Sequence, residues 1–122
     1  MSLSSLVYGG AEFSEEAYNK AQHDLENALE QSNFALAKES LNDLMPLMKE
    51  DIKYTKKMLK VEKKEGDAAY VAELKEALDR QETILDRLEH MTNVSPAALR
   101  ASAAKSISLV KEFRKLSLQT AS

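Results

Sequence analysis

The chain has 122 residues, of which 20 are acidic and 17 are basic, and its formal net charge is −3 at neutral pH. Because cysteine is absent, thiol nucleophiles and thiolate zinc sites are excluded. The longest apolar runs span only a few residues, which excludes a transmembrane helix, and the acidic balance disfavours a protein that coats nucleic acid.

The N-terminal segment, residues 1–13, contains Gly9-Gly10 and several serines without a helical period. This composition predicts a flexible arm. Helix 1 is expected to begin at Ser14, whose hydroxyl can cap free backbone N–H groups. Apolar residues then recur at helical spacing from Tyr18 to Leu29, which carries the helix to about Gln31. Ser32-Asn33 is the expected turn.

Helix 2 is predicted to run from Phe34 to Leu59 and beyond, and to end at Gly66 after two lysines in its last turn. Pro46 lies in its middle. Because proline removes a backbone donor and clashes with the preceding turn, this helix should be either kinked or split there. Met45 is a poor cap for a new helix, so a kink is favoured over a break.

Helix 3 is expected to start after Asp67 and to present a wide apolar face, with Gln81 as its one polar interruption. Helix 4 has the clearest start signal, because Ser95 can cap and Pro96 suits the first helical position. A frayed tail is predicted at residues 119–122.

Net charge alternates along these segments: −6 over residues 1–48, +3 over 49–66, −4 over 67–91 and +4 over 92–122. Acidic and basic segments that alternate in sequence become complementary neighbours in an up-and-down bundle. The fold prediction is therefore all-α: one antiparallel up-and-down four-helix bundle over residues 14–118, with helix 2 long and kinked near Pro46.

No arrangement of residues typical of an active site is evident. His23 and His90 are the two histidines, and neither belongs to the Glu-x-x-His element that a dimetal bundle requires. Serine triads, glycine-rich phosphate loops and nucleotide fingerprints are also missing. We therefore expect no enzyme activity, no cofactor and no metal site, with a helical metalloenzyme kept as a distant alternative.

The densest charged feature is a basic run on helix 2, in which Tyr54 is embedded. Its members, taken together as candidate partner or anion contacts, are Lys49, Lys53, Tyr54, Lys56, Lys57, Lys60, Lys63 and Lys64. Such a face can contact phosphates or anionic lipid. Acidic residues are interleaved with it, and helix 3 offers counter-charges at Asp79, Glu82, Asp86 and Glu89, so inter-helix ion pairs are the stronger expectation.

The functional hypothesis is a cytoplasmic, non-enzymatic protein-protein interaction module, such as an adaptor, a chaperone-like binder or an assembly factor. Long amphipathic helices supply extended surfaces for a partner helix, and a homodimer is one form that this interaction can take. The alternative is a nucleic-acid or anionic-surface binder that uses the Lys49 to Lys64 face. The sequence does not identify the partner.

Overall fold

The structure, a computed structural model, describes residues 11–121 and the side chains of residues 15–120. In chain order, the helices are α1 (Ala11–Glu30), α2 (Phe34–Glu65), α3 (Ala68–Thr92), the short α4 (Pro96–Leu99), a 3₁₀ turn (Arg100–Ser102) and α5 (Ala103–Ala121). This part of the chain contains no β-strand. The all-helical fold class is therefore confirmed, with four long segments packed against each other.

The start of α1 differs from the prediction. The chain is already helical at Ala11, the first described residue, so Ser14 lies inside the helix and is not its N-cap. Ala11 and Glu12 are both good helix formers, which is consistent with helix before Ser14. Of the predicted flexible arm, residues 1–10 lie outside the described residues, and residues 11–13 are helical.

The turn between α1 and α2 falls where the sequence predicts it. Ser32 adopts a left-handed conformation with φ of 56°. The Asn33 amide donates to the Ala28 carbonyl over 2.7 Å, and the Ser32 amide donates to the Leu29 carbonyl over 3.1 Å. This pattern is a Schellman motif. The Asn33 side chain then caps α2 by accepting from the Leu36 amide.

Helix α2 continues through Pro46 as one helix, so the alternative of two separate helices is wrong. Pro46 and its neighbours Asn42 and Asp43 are exposed. Because proline cannot donate to the carbonyl of Asn42, that carbonyl loses its intrahelical partner. Water can satisfy it at this exposed position, which allows the helix to continue.

The caps of the later helices match the prediction. The Asp67 side chain accepts from the Ala69 amide over 3.0 Å, and the Ser95 side chain accepts from the Ala98 amide over 3.2 Å. Pro96 occupies the first turn of α4.

The expected single helix 4 is instead divided by the 3₁₀ turn. At this turn the Ser102 hydroxyl donates to the Leu99 carbonyl and competes with the α-helical backbone bond. The tail also differs from the prediction, because α5 stays helical to Ala121 and Thr120 is buried.

The core lies where α1, α2, α3 and α5 meet, and it includes Leu99 of α4. Its largest fully buried apolar side chains come from all of these elements: Leu25, Leu41, Leu44, Met48, Leu74, Ile84, Leu88, Leu99, Val110 and Phe113. The apolar stripes that the sequence places on each helix therefore do face one another.

Candidate interaction surface

Three lysines of the predicted basic run form one wall of an open groove. Lys49, Lys53 and Lys56 follow each other on α2 at intervals of four and three residues, and all three are exposed. At that spacing side chains share one side of a helix. The side in question is the one that borders α3.

The facing wall is acidic. Glu82, Asp86 and Glu89 of α3 likewise follow each other at intervals of four and three residues. Lys49 Nζ lies 3.9 Å from Glu89 Oε1, and Lys56 Nζ lies 3.8 Å from Glu82 Oε2. Along this stretch the residue number of the paired lysine rises as that of the paired glutamate falls.

The floor between the two walls is apolar. Ile52 of α2 is 7% exposed, and Leu85 of α3 is half-buried. The groove encloses about 420 Å³ and is lined by Lys49, Ile52, Lys53, Lys56, Glu82, Leu85, Asp86 and Glu89. We call this feature the α2–α3 groove. With three cationic and three anionic side chains, it carries no net formal charge.

The other members of the predicted basic run lie outside the groove. Lys57, Lys60 and Lys64 are exposed and form no ion pair with any residue that the structure describes. Lys63 lies beside the α2–α3 turn near Gly66. Tyr54 is half-buried, and burial raises the pKa of its hydroxyl, with a smaller contribution from Tyr70.

A second feature, which sequence reasoning missed, is a group of polar side chains enclosed between the helices. We call Tyr18, Asp51, Thr55, Gln81, Ser117 and Thr120 the buried polar cluster. At its centre is Asp51, which is 4% exposed. The Tyr18 hydroxyl donates to Asp51 Oδ2 over 2.7 Å.

The ionisation of Asp51 is strongly perturbed. Burial raises the pKa of its carboxyl from 3.8 to about 6, opposed by a hydrogen bond from Ser117 and by the positive charge of Arg114. Desolvation disfavours the charged form of a carboxyl, whereas a donor and a nearby cation favour it. Burial likewise raises the pKa of Tyr18, with Arg114 acting in the opposite direction.

Hydrogen bonds extend the cluster to α3 and to the end of α5. Gln81 Nε2 donates to Ser117 Oγ over 3.3 Å, and the Thr55 hydroxyl lies 3.4 Å from that of Thr120. Gln81 Oε1 is buried without a hydrogen-bond partner among the described residues. The polar position that interrupts the predicted face of helix 3 is therefore part of this cluster.

Arg114 of α5 connects the cluster to the surface. Its guanidinium carbon lies 5.3 Å from the centre of the Tyr18 ring, a distance typical of a cation–π contact. The guanidinium also donates to Gln22 Oε1 over 2.7 Å and to Asn19 Oδ1 over 2.8 Å. Arg114 thus fixes α5 against α1 and covers Tyr18.

The two histidines are not brought into a metal site. His23 and His90 are exposed, and His23 Nε2 lies 3.1 Å from Asn27 Nδ2. Within residues 11–121, no group of three histidine, aspartate or glutamate side chains is placed to hold a metal ion. No helix in the same part of the chain is long and apolar enough to cross a bilayer.

The sequence and structure were compared with protein families, with characterised proteins and with solved structures, and none of the three comparisons gave a match.

Proposed function

We propose that this chain is a non-enzymatic protein-protein interaction module that binds a helical partner along the α2–α3 groove. The observation that carries the proposal is the groove itself: an apolar floor between a basic wall and an acidic wall on two long helices. A helix laid into such a groove buries its apolar stripe, while charges on its two edges set its direction. The proposal includes an antiparallel up-and-down bundle, with α2 bent near Pro46, as the scaffold.

The enclosure of the buried polar cluster by the chain's own helices supports a non-enzymatic function. Asp51 has the perturbed pKa that is often found in an active site. However, its side chain is enclosed, and its polar partners belong to the chain's own helices. A carboxyl in this position contributes to packing and to the pH dependence of stability.

A second candidate function rests on the lysines outside the groove. Lys57, Lys60 and Lys64 share the exposed side of α2 without acidic partners in the described part of the chain. Three such cations are able to contact a phosphate backbone or an anionic surface. Binding of this kind falls steeply with salt.

Two triple variants separate these functions because they change the same number of lysines on the same helix. The groove variant carries Lys49→Glu, Lys53→Glu and Lys56→Glu, and the control variant carries Lys57→Glu, Lys60→Glu and Lys64→Glu. The wild-type protein and both variants are tagged, used in pull-downs from native lysate, and analysed for bound protein and nucleic acid.

We expect a discrete protein that the wild type and the control variant retain and that the groove variant loses. Retention of the protein by the groove variant would contradict the groove proposal. Nucleic acid that the wild type and the groove variant bind and the control variant loses would instead favour the anionic-surface alternative. Far-UV circular dichroism of each variant checks that the fold persists, as expected for side chains that are about half exposed.

A further inference from the structure

We infer that the occupant of the α2–α3 groove is a second copy of this chain, aligned in the same direction. This inference rests on the proposed function, since it names the partner of the same surface. The reason is the arrangement of charge, because the basic wall lies on α2 and the acidic wall lies on α3. A surface with this polarity can be complementary to itself.

Symmetry decides which orientation is complementary. Two copies that meet face to face through this groove are related by a two-fold axis lying in the interface. If the axis is parallel to the helices, α2 of each copy faces α3 of the other, so lysines face carboxylates. If the axis is perpendicular to the helices, α2 faces α2, and lysines face lysines. The charges therefore favour the parallel arrangement.

The register of the parallel arrangement follows from the contacts within one chain. The pairs Lys49–Glu89 and Lys56–Glu82 show which residues of α2 and α3 lie at the same height. A two-fold axis parallel to the helices leaves those heights unchanged. Lys49 and Lys56, which pair with carboxylates of their own chain, then also face the acidic wall of the other copy. Lys53 comes opposite Asp86 midway between the two pairs.

The apolar floor contributes the desolvated centre of the contact. Ile52 of one copy comes opposite Leu85 of the other, while the charged walls surround them. From Lys49 to Lys56 the groove extends only about 10 Å along the helix, so the contact that it offers is smaller than a standard interface, which buries roughly 800 Å² per partner. We therefore expect a weak dimer that is sensitive to salt.

Sedimentation equilibrium of the purified chain tests this inference. The expected result is dimerisation at high protein concentration and low ionic strength, with loss of the dimer at about 1 M salt, where the Debye length is about 3 Å. The groove variant should dimerise at least about tenfold more weakly, because like charges would then face each other. The control variant should match the wild type. A wild-type chain that stays monomeric would overturn the inference, as would a groove variant that dimerises normally.

A variant in which the acidic wall, rather than the basic wall, is reversed tests whether complementary charges restore the dimer. It carries Glu82→Lys, Asp86→Lys and Glu89→Lys, so both of its walls are basic, whereas both walls of the groove variant are acidic. Neither variant should dimerise alone, and an equimolar mixture should form a heterodimer. Failure of the mixture to associate would contradict the inference.

Cysteine crosslinking reports the orientation with only one substitution per chain, and the wild-type sequence has no cysteine to interfere. A mixture of Lys53→Cys and Asp86→Cys chains should form mixed disulfides faster than either chain forms symmetric ones. Faster symmetric crosslinking through position 53 would indicate the perpendicular arrangement and refute the parallel one.

If the chain is monomeric but the groove variant still loses a partner from lysate, the proposed function stands and the second-copy inference fails.

Discussion

The substitution Asp51→Asn should stabilise the protein at neutral and alkaline pH. Asp51 is buried, and its folded-state pKa of about 6 lies above the unfolded value near 3.8. A group with this shift contributes stability that is fully present below pH 3.8 and is lost as the pH rises through about 6. The difference between the two pKa values corresponds to about 3 kcal/mol when the carboxyl is fully ionised.

Asparagine keeps the shape of the side chain but removes the cost of the buried charge. In the wild type the Tyr18 hydroxyl donates to Asp51, and in the variant the amide oxygen of the asparagine can still accept this hydrogen bond. We therefore expect the free energy of unfolding to rise by about 1–3 kcal/mol at pH 8 and to change little near pH 4.

Urea unfolding followed by far-UV circular dichroism measures this difference at the two pH values. Asp43→Asn is the matched control, because Asp43 is an exposed carboxyl on the same helix. Its effect should stay within about 0.5 kcal/mol at both pH values. If Asp51→Asn destabilised the protein more at pH 8 than at pH 4, the ionised carboxylate would be the favoured form, and our account of the buried polar cluster would be refuted.

Three other substitutions are expected to change stability. Tyr18→Phe removes the hydroxyl that donates to Asp51 over 2.7 Å. In the same urea assay it should lower the free energy of unfolding by about 1.5–3 kcal/mol at pH 8 and by less near pH 4. An equal loss at both pH values would argue against a hydrogen bond to the ionised carboxyl. Leu25→Ala empties a fully buried core position and should lower the free energy of unfolding by about 2–5 kcal/mol, whereas a cost below about 1 kcal/mol would mean that this position is not in the core. Ser32→Gly removes the strain of a non-glycine residue in the left-handed conformation and should raise the free energy of unfolding by about 0.5–1 kcal/mol, measured as a higher thermal midpoint. A lower midpoint would contradict the Schellman geometry.

Local signals account for what the sequence predicts well. The caps at Asp67 and Ser95 and the turn at Ser32 depend on residues within a few positions of each other. Helix boundaries were less predictable where no single residue marks them. The 3₁₀ turn before Ala103 is an example, because small residues leave the end of a helix weakly specified.

The buried polar cluster was not predicted because its partners come from distant parts of the chain. Asp51 is separated by 33 residues from Tyr18, and the sequence shows it among exposed lysines as one more counter-charge. A signal was nevertheless present. Asp51 lies three residues after Met48 and four before Thr55, at helical spacing with two buried positions, so its location on the core-facing side could have been noticed.

The basic run was predicted as a unit, and the structure divides it. Inter-helix ion pairs form at Lys49 and Lys56, as the acidic residues of helix 3 suggested. Sequence alone could not show which lysines meet which carboxylates, because a shift of one helical turn between α2 and α3 preserves the same charge pattern. The register, and with it the groove, required the structure.

Photocrosslinking from inside the groove tests the central claim most directly. A photoreactive amino acid replaces Lys53, on the groove wall, or Lys64, an exposed lysine on the same helix outside the groove. Our account predicts that the probe at position 53 forms a covalent adduct with a protein, either a second copy or another helical partner, and that the probe at position 64 does not. No adduct from position 53 above the level at position 64 would contradict the claim that the α2–α3 groove binds protein.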